Sequence, residues 1–193
     1  MTEPRAAASL LVFRYNPGGV PELLMARRSA LHRFMPNMLV FPGGAVDAED
    51  HHAMAATPLR PGVLARLERS ASGTLARALA MAAARELTEE VGMSLGVPPA
   101  LDGLDYLCRA ITPPERSQRF DARFFLVDAD RVTGVPAASA EMEAPDWYSV
   151  SKALEADIPL ATRAVLGQFE RWLTQHDRDG AVPVLRDRVW HHE

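Results

Sequence analysis

One long helical pattern constrains this chain more than any other feature, because it ends in a cluster of acids. Leu75, Leu79, Ala83, Leu87 and Val91 recur every four residues, which predicts a helix over Thr74–Val91 with a narrow buried stripe. Gly92 follows as the expected C-terminal stop. The last turns read Arg85-Glu86-Leu87-Thr88-Glu89-Glu90, so Glu86 lies one turn from both Glu89 and Glu90. Three carboxylates on one face repel each other, and they stand at the helix end where the macrodipole favours cations. A plain solvated face leaves both unfavourable effects in place, whereas a hard divalent cation with oxygen ligands relieves both. Arg85, adjacent to Glu86 and four residues before Glu89, is placed to pair with a carboxylate and fix its direction.

Around this helix the chain reads as alternating strands and helices, the pattern of an α/β domain. Residues 6–15 predict a strand ending at the turn Asn16-Pro17-Gly18-Gly19, and Val20–Arg28 predicts the returning strand of a hairpin. Met38–Phe41 is a further short strand running into Pro42-Gly43-Gly44, where the glycines permit an unusual backbone path. Between about 48 and 72 two helical stretches are expected, broken at Thr57-Pro58 and Arg60-Pro61-Gly62. Strands are expected at Tyr106–Thr112 and Phe120–Val127, a polar loop over Ala137–Glu143, a short strand at Trp147–Val150 and a final helix over Pro159–Gln175. The 193 residues suit one domain, and no repeat or low-complexity tract divides them.

Composition removes several function classes. The 21 basic residues are 20 arginines and a single lysine, Lys152, which follows Ser149-Val150-Ser151 and not a glycine-rich loop, so a P-loop is excluded. With 25 acidic residues and a net charge of -4, no nucleic-acid partner is expected. The apolar run Ala6–Phe13 is too short to span a bilayer, so no membrane association is expected either. The lone Cys108 cannot form an intramolecular disulfide, which suits a reducing, cytoplasmic compartment. His51-His52 and His191-His192 lack partners at ligand spacing and read as solvated pairs.

The stretch from Gly44 to Met93 resembles the Nudix hydrolase signature, Gly-x5-Glu-x7-Arg-Glu-U-x-Glu-Glu-x-Gly-U, where U is a bulky aliphatic residue. Arg85 through Met93 matches the second half at every specified position, and Gly44, preceded by Phe41-Pro42-Gly43, matches the opening glycine. Two positions depart from it. Asp50 stands where the first glutamate belongs, and 34 residues separate it from Arg85 in place of seven, an insertion of 27. The resemblance implies a Nudix α/β/α sandwich with a mixed β-sheet, a single domain over 1–193 and a small helical insertion at 51–72. It implies cleavage of a diphosphate linkage by water attack on phosphorus, with Mg²⁺ or Mn²⁺ as cofactor. The implied ligands are Glu86, Glu89, Glu90 and the Gly44 carbonyl; Arg85 would orient, and Glu86 or Glu89 would take part in catalysis. Glu141, in the loop Ala140-Glu141-Met142-Glu143, is a further candidate base. Asp50, with Asp47, would either bind an outer metal or cap the following helix. The resemblance is also compatible with a homodimer.

The substrate is narrowed by a second likeness. Leu23-Leu24, Arg27, Arg33 and Phe41-Pro42-Gly43-Gly44 fall in register with a coenzyme A motif, in which Met25 replaces Thr, Arg28-Ser29 replaces Ser-Ala and Asn37 replaces Gly. Asn, like Gly, tolerates a left-handed backbone. Arg119–Phe125 also resembles the long-insertion subgroup that includes a peroxisomal coenzyme A diphosphatase branch. The small-molecule substrate expected is thus coenzyme A or an acyl-CoA, with Arg27, Arg33, Phe41 and Gly43 at its binding site. The alternatives are a nucleoside diphosphate sugar or a dinucleotide such as NADH or ADP-ribose, or a binding module of the same fold without turnover. An intact Arg-Glu-x-x-Glu-Glu set argues against the last.

Overall fold

In the computed structural model, which describes residues 3–30, 35–175 and 180–193, the apolar N-terminal run forms strand β1, Arg5–Tyr15. Its residues are apolar on both faces, as a central strand requires: Leu10 and Val12 enter one core cluster, Leu11 and Phe13 the other. The Asn16 carboxamide accepts from the Gly18 and Val20 amides and turns the chain into β2, Pro21–Arg28. Two very short strands follow, β3 (Leu39–Val40) on β2 and β4 (Gly43–Ala45) on β1.

After β4 the chain makes a 3₁₀ turn at Glu49–His51 and one helix, α1, Pro61–Leu67. Pro61 was expected to break a helix. It opens one instead, at the first position, where a missing N–H costs nothing. Helix α2, Gly73–Val91, is capped by the Ser72 hydroxyl on the Leu75 amide and closed by Gly92 at φ +70. The narrow stripe expected on α2 is corrected. Leu75 is only partly buried, whereas Ala76 and the whole run Ala78–Ala84 are buried. Alanines let α2 lie close to the sheet while α1 and the chain around Leu59, Leu101 and Leu104 cover its outer side.

Strands β5 (Asp105–Ile111) and β6 (Phe120–Asp128) complete the centre. The loop expected over 137–143 ends earlier, since Met142 begins β7, Met142–Ser149, an eight-residue strand along β2. Helices α3 (Val150–Leu154) and α4 (Leu160–Thr174) follow. The last strands, β8 (Pro183–Arg186) and β9 (Val189–His192), were not anticipated. Their two-residue turn, Asp187-Arg188, adopts left-handed dihedrals without the Asn-Gly signal that marks such hairpins.

The sheet runs β3-β2-β1-β6-β5-β8-β9, with β4 on β1 and β7 on β2. It is mixed: β1–β6 and β5–β8 pair in parallel, the other pairs antiparallel. Helices α1 and α2 cover one face and α3 and α4 the other, giving three layers. Among the described residues no helix is long and apolar enough to cross a membrane.

Candidate active site

The carboxylate end of α2 meets the glycine pair of β4. The Gly43 amide donates to Glu90 Oε2 at 2.7 Å, and a Cβ on Gly44 would collide with the Glu86 carboxylate. Neither glycine has a positive φ, so the expected unusual backbone path is not what these positions need. Gly44 leaves room for the Glu86 carboxylate against the main chain, while the missing Cβ of Gly43 lets β4 lie against Ala8 and Ser9 of β1. Glu86 and Glu90, one turn apart, point inward. Glu89 projects outward, with a side chain 58% exposed.

Arg85 organises the cluster. Its Nε and Nη2 each donate to Asp50 at 3.1 Å, Nη1 donates to Glu86 at 2.8 Å and Glu89 at 3.0 Å, and Nη2 also donates to the Ala45 carbonyl at 3.0 Å. All five guanidinium N–H groups are therefore engaged. Asp50 is buried and also accepts from the Asp47 amide at 2.9 Å, while the Asp47 carboxylate stands 3.6 Å from Arg85. In this structure Asp50 is the anchor of Arg85 and closes the turn that follows β4. The long insertion leaves this contact intact because its two ends, β4 and α2, are packed together.

Burial dominates the electrostatics. It pushes the Glu90 carboxyl up to about 8, helped by the nearby Glu86 and Glu141 charges and opposed by the Gly43 amide and the Arg28 guanidinium. Burial also raises Glu86, against the pull of Arg85. For Arg85 burial works downward, but the hydrogen bonds and charges of Asp50 and Glu86 outweigh it and leave the guanidinium firmly protonated. Glu86, Glu89 and Glu90 line a cavity of about 170 Å³ together with Ser139, Ala140 and Glu141. The Ser139 hydroxyl accepts from the Glu141 and Met142 amides, and the Ser29 amide donates to the Glu141 carbonyl at 2.9 Å, so the backbone of Glu141 is held on both sides.

The other expected residues scatter. Arg27 donates to the Asn37 carbonyl at 2.6 Å, and Asn37 takes the left-handed conformation, φ +62, that its replacement of glycine demands. Phe41 is buried in the core cluster beside α4. Arg33 lies outside the described residues. Arg28 was passed over in the sequence, yet its charge reaches Glu90. Its spacing of two from Ala26 and four from Leu24 put it on their face of β2, but nothing in the sequence said that α2 would cover that face.

Among the described residues no group of three His, Cys, Asp or Glu side chains is gathered so as to hold a metal ion, and Glu86 and Glu89 are both turned to Arg85. The donor chemistry nevertheless fits a hard cation. The buried Glu90 and the largely buried Glu86 share a cavity with Glu89 and Glu141, and Gly44 leaves the Glu86 side free of any Cβ.

No family model matches the chain, and no curated protein matches it. Solved structures do. A Nudix hydrolase from Alicyclobacillus acidocaldarius is 28% identical, with a TM-score of 0.68 over 86% of this chain and 91% of that one. The fold is that of the Nudix hydrolases. A MutT Nudix hydrolase from Burkholderia pseudomallei is 22% identical, TM-score 0.56, over 86% and 98% of the two chains. The Nudix domain of Shewanella oneidensis NrtR, crystallised with ADP ribose, is 14% identical, TM-score 0.59, over 90% of each. The latter two share the fold. The likeness to the Alicyclobacillus hydrolase, at 28% identity, stands beside the complete Arg-Glu-x-x-Glu-Glu helix of this chain.

Proposed function

We propose that this chain is a cytoplasmic, divalent-metal-dependent hydrolase that cleaves the diphosphate of coenzyme A or an acyl-CoA. The observation that carries the metal-dependent reading is the inward pair Glu86–Glu90, held against Gly43-Gly44 in a shared cavity with both carboxyls raised by burial. Such a pair is costly without a counter-charge, and a diphosphate brings more negative charge to the same place. Glu86, Glu90 and the Gly44 carbonyl would hold Mg²⁺ or Mn²⁺, with Glu89 joining as it leaves Arg85. The bound ion supplies activation of water and stabilisation of charge on the phosphoryl oxygens. Arg85, braced by Asp50, would orient Glu86; Glu141, which lines the same cavity, is the candidate carboxylate to take a proton from the attacking water.

The coenzyme A assignment is supported by the run from Leu23 through Gly44. There Arg27 braces the Asn37 carbonyl, and Phe41 anchors the glycine pair in the core. The test is incubation with Mg²⁺ or Mn²⁺ and a panel of coenzyme A, NADH, ADP-ribose and nucleotide sugars. Release of 3′,5′-ADP from coenzyme A in preference to cleavage of the others is expected, with complete loss in EDTA. Preferential cleavage of another panel member overturns the substrate assignment. Cleavage of none would make the chain a binding module of this fold.

A further inference from the structure

A diphosphate needs a positive group of the protein itself, beyond any bound ion, because the cavity is walled by Glu86, Glu89, Glu90 and Glu141. The obvious candidate, Arg85, has no donor to give. Its five N–H groups are spent on Asp50, Glu86, Glu89 and the Ala45 carbonyl.

Strand β2 presents two more arginines, and its alternation assigns them to opposite faces. Leu24 and Ala26 belong to the core cluster under α2, whereas Leu23 and Met25 belong to the cluster under α4. The irregularity in the β2–β7 pairing, where Met25 meets Asp146 and Arg27 meets Glu143, puts the extra residue on β7, so the alternation of β2 continues undisturbed. Arg28 is therefore on the α2 face and Arg27 on the other. Two neighbours agree with this. Arg28 stands opposite Met142, which is buried in the α2-side cluster, and Arg27 stands opposite Leu39, which is buried in the α4-side cluster. Next to Arg28, the Ser29 amide binds the carbonyl of Glu141, a residue of the cavity wall.

We infer that Arg28, on the α2-facing row of β2 and next to the residue that binds the Glu141 carbonyl, receives a phosphoryl oxygen of the diphosphate, and that Arg27 does not. This rests on the reading of the cavity as the site of diphosphate hydrolysis. The substrate class follows: any diphosphate that offers a non-bridging oxygen pair to a planar guanidinium, whatever its organic ends. Arg27 acts instead as a brace for the 35–37 turn through Asn37.

Calorimetric titration of the full chain with imidodiphosphate, a non-hydrolysable diphosphate, in Mg²⁺ tests the assignment. Arg28→Gln is expected to weaken binding 10- to 100-fold, Arg28→Lys to recover part of it, and Arg27→Gln to change it less than threefold. Titration with Mg²⁺ alone should show equal or tighter binding in Arg28→Gln, since a cation beside the carboxylates has been removed; an unfolded variant would lose this binding. If Arg28→Gln does not fold, Arg28→Lys, weakened several-fold, carries the same prediction. Wild-type affinity in Arg28→Gln, an equal loss in Arg27→Gln, or no binding by the parent protein each overturns the inference. Turnover separates the two readings. A parent that hydrolyses no diphosphate defeats the hydrolase; a parent that turns over while Arg28→Gln keeps its KM defeats Arg28 alone.

Discussion

Replacing Glu90 with glutamine should make the metal-free protein more stable while removing its activity. Glu90 is 4% exposed and accepts from the Gly43 amide at 2.7 Å. Desolvation raises its carboxyl from 4.5 to about 8. Below pH 4.5 the group is neutral in both folded and unfolded chains and contributes no penalty. Between 4.5 and about 8 the unfolded chain ionises while the folded one does not, so stability falls with rising pH, and above 8 the penalty is complete. At 1.36 kcal/mol per unit the displacement is worth roughly 5 kcal/mol. Glutamine keeps the shape and an oxygen for the Gly43 amide, but its buried NH₂ lacks a partner, which costs about 1–3 kcal/mol.

The net expectation is a gain of about 2–4 kcal/mol for Glu90→Gln at pH 8.5 in EDTA, turning into a loss of about 1–3 kcal/mol near pH 4.5, where only the unpaired NH₂ counts. Urea unfolding at both pH values measures it, as a shift in midpoint at constant m. Adding Mg²⁺ should then raise the parent's midpoint and leave that of Glu90→Gln nearly unmoved, because only a ligand bound to the folded state stabilises it. A variant less stable than its parent at pH 8.5 in EDTA would refute the claim that an uncompensated buried acid is stored here.

Asp50→Ala removes two hydrogen bonds from Arg85, whose side chain is 24% exposed and retains Glu86, Glu89 and Ala45; the loss should be about 2–3 kcal/mol in urea unfolding, below the range for a fully buried pair. Turnover should fall at least tenfold in the same variant, and Asp50→Glu should restore part of both. Gly44→Ala puts a methyl group into the Glu86 carboxylate, so about 1–3 kcal/mol of overpacking strain and a loss of kcat with unchanged far-UV circular dichroism are expected. Full kcat in Gly44→Ala would show that Glu86 has no fixed place in the reaction.

What the sequence made legible is local. The Gly92 stop, the start of α2 within one residue, the first hairpin and the Arg-Glu-x-x-Glu-Glu spacing all depend on residues a few positions apart, where propensity and capping decide. What stayed hidden depends on which surfaces are brought together. Asp50 and Arg85 lie 35 positions apart, and only the packing of β4 on β1 and of α2 across the sheet joins them. The alternation of β2 is plain in the sequence, but a strand buried on both faces gives no sign of which side will carry α2. So the register with a motif points to Arg27, while the α2-facing side of β2 carries Arg28. The same ambiguity separates Glu89 from Glu90. Spacing puts both within a turn of Glu86, yet only the docking of α2 against Gly43 decides that Glu90 is desolvated and Glu89 remains in water. The chemistry of this site thus resides in a choice of face, made twice, once by a strand and once by a helix whose sequences each permit either answer.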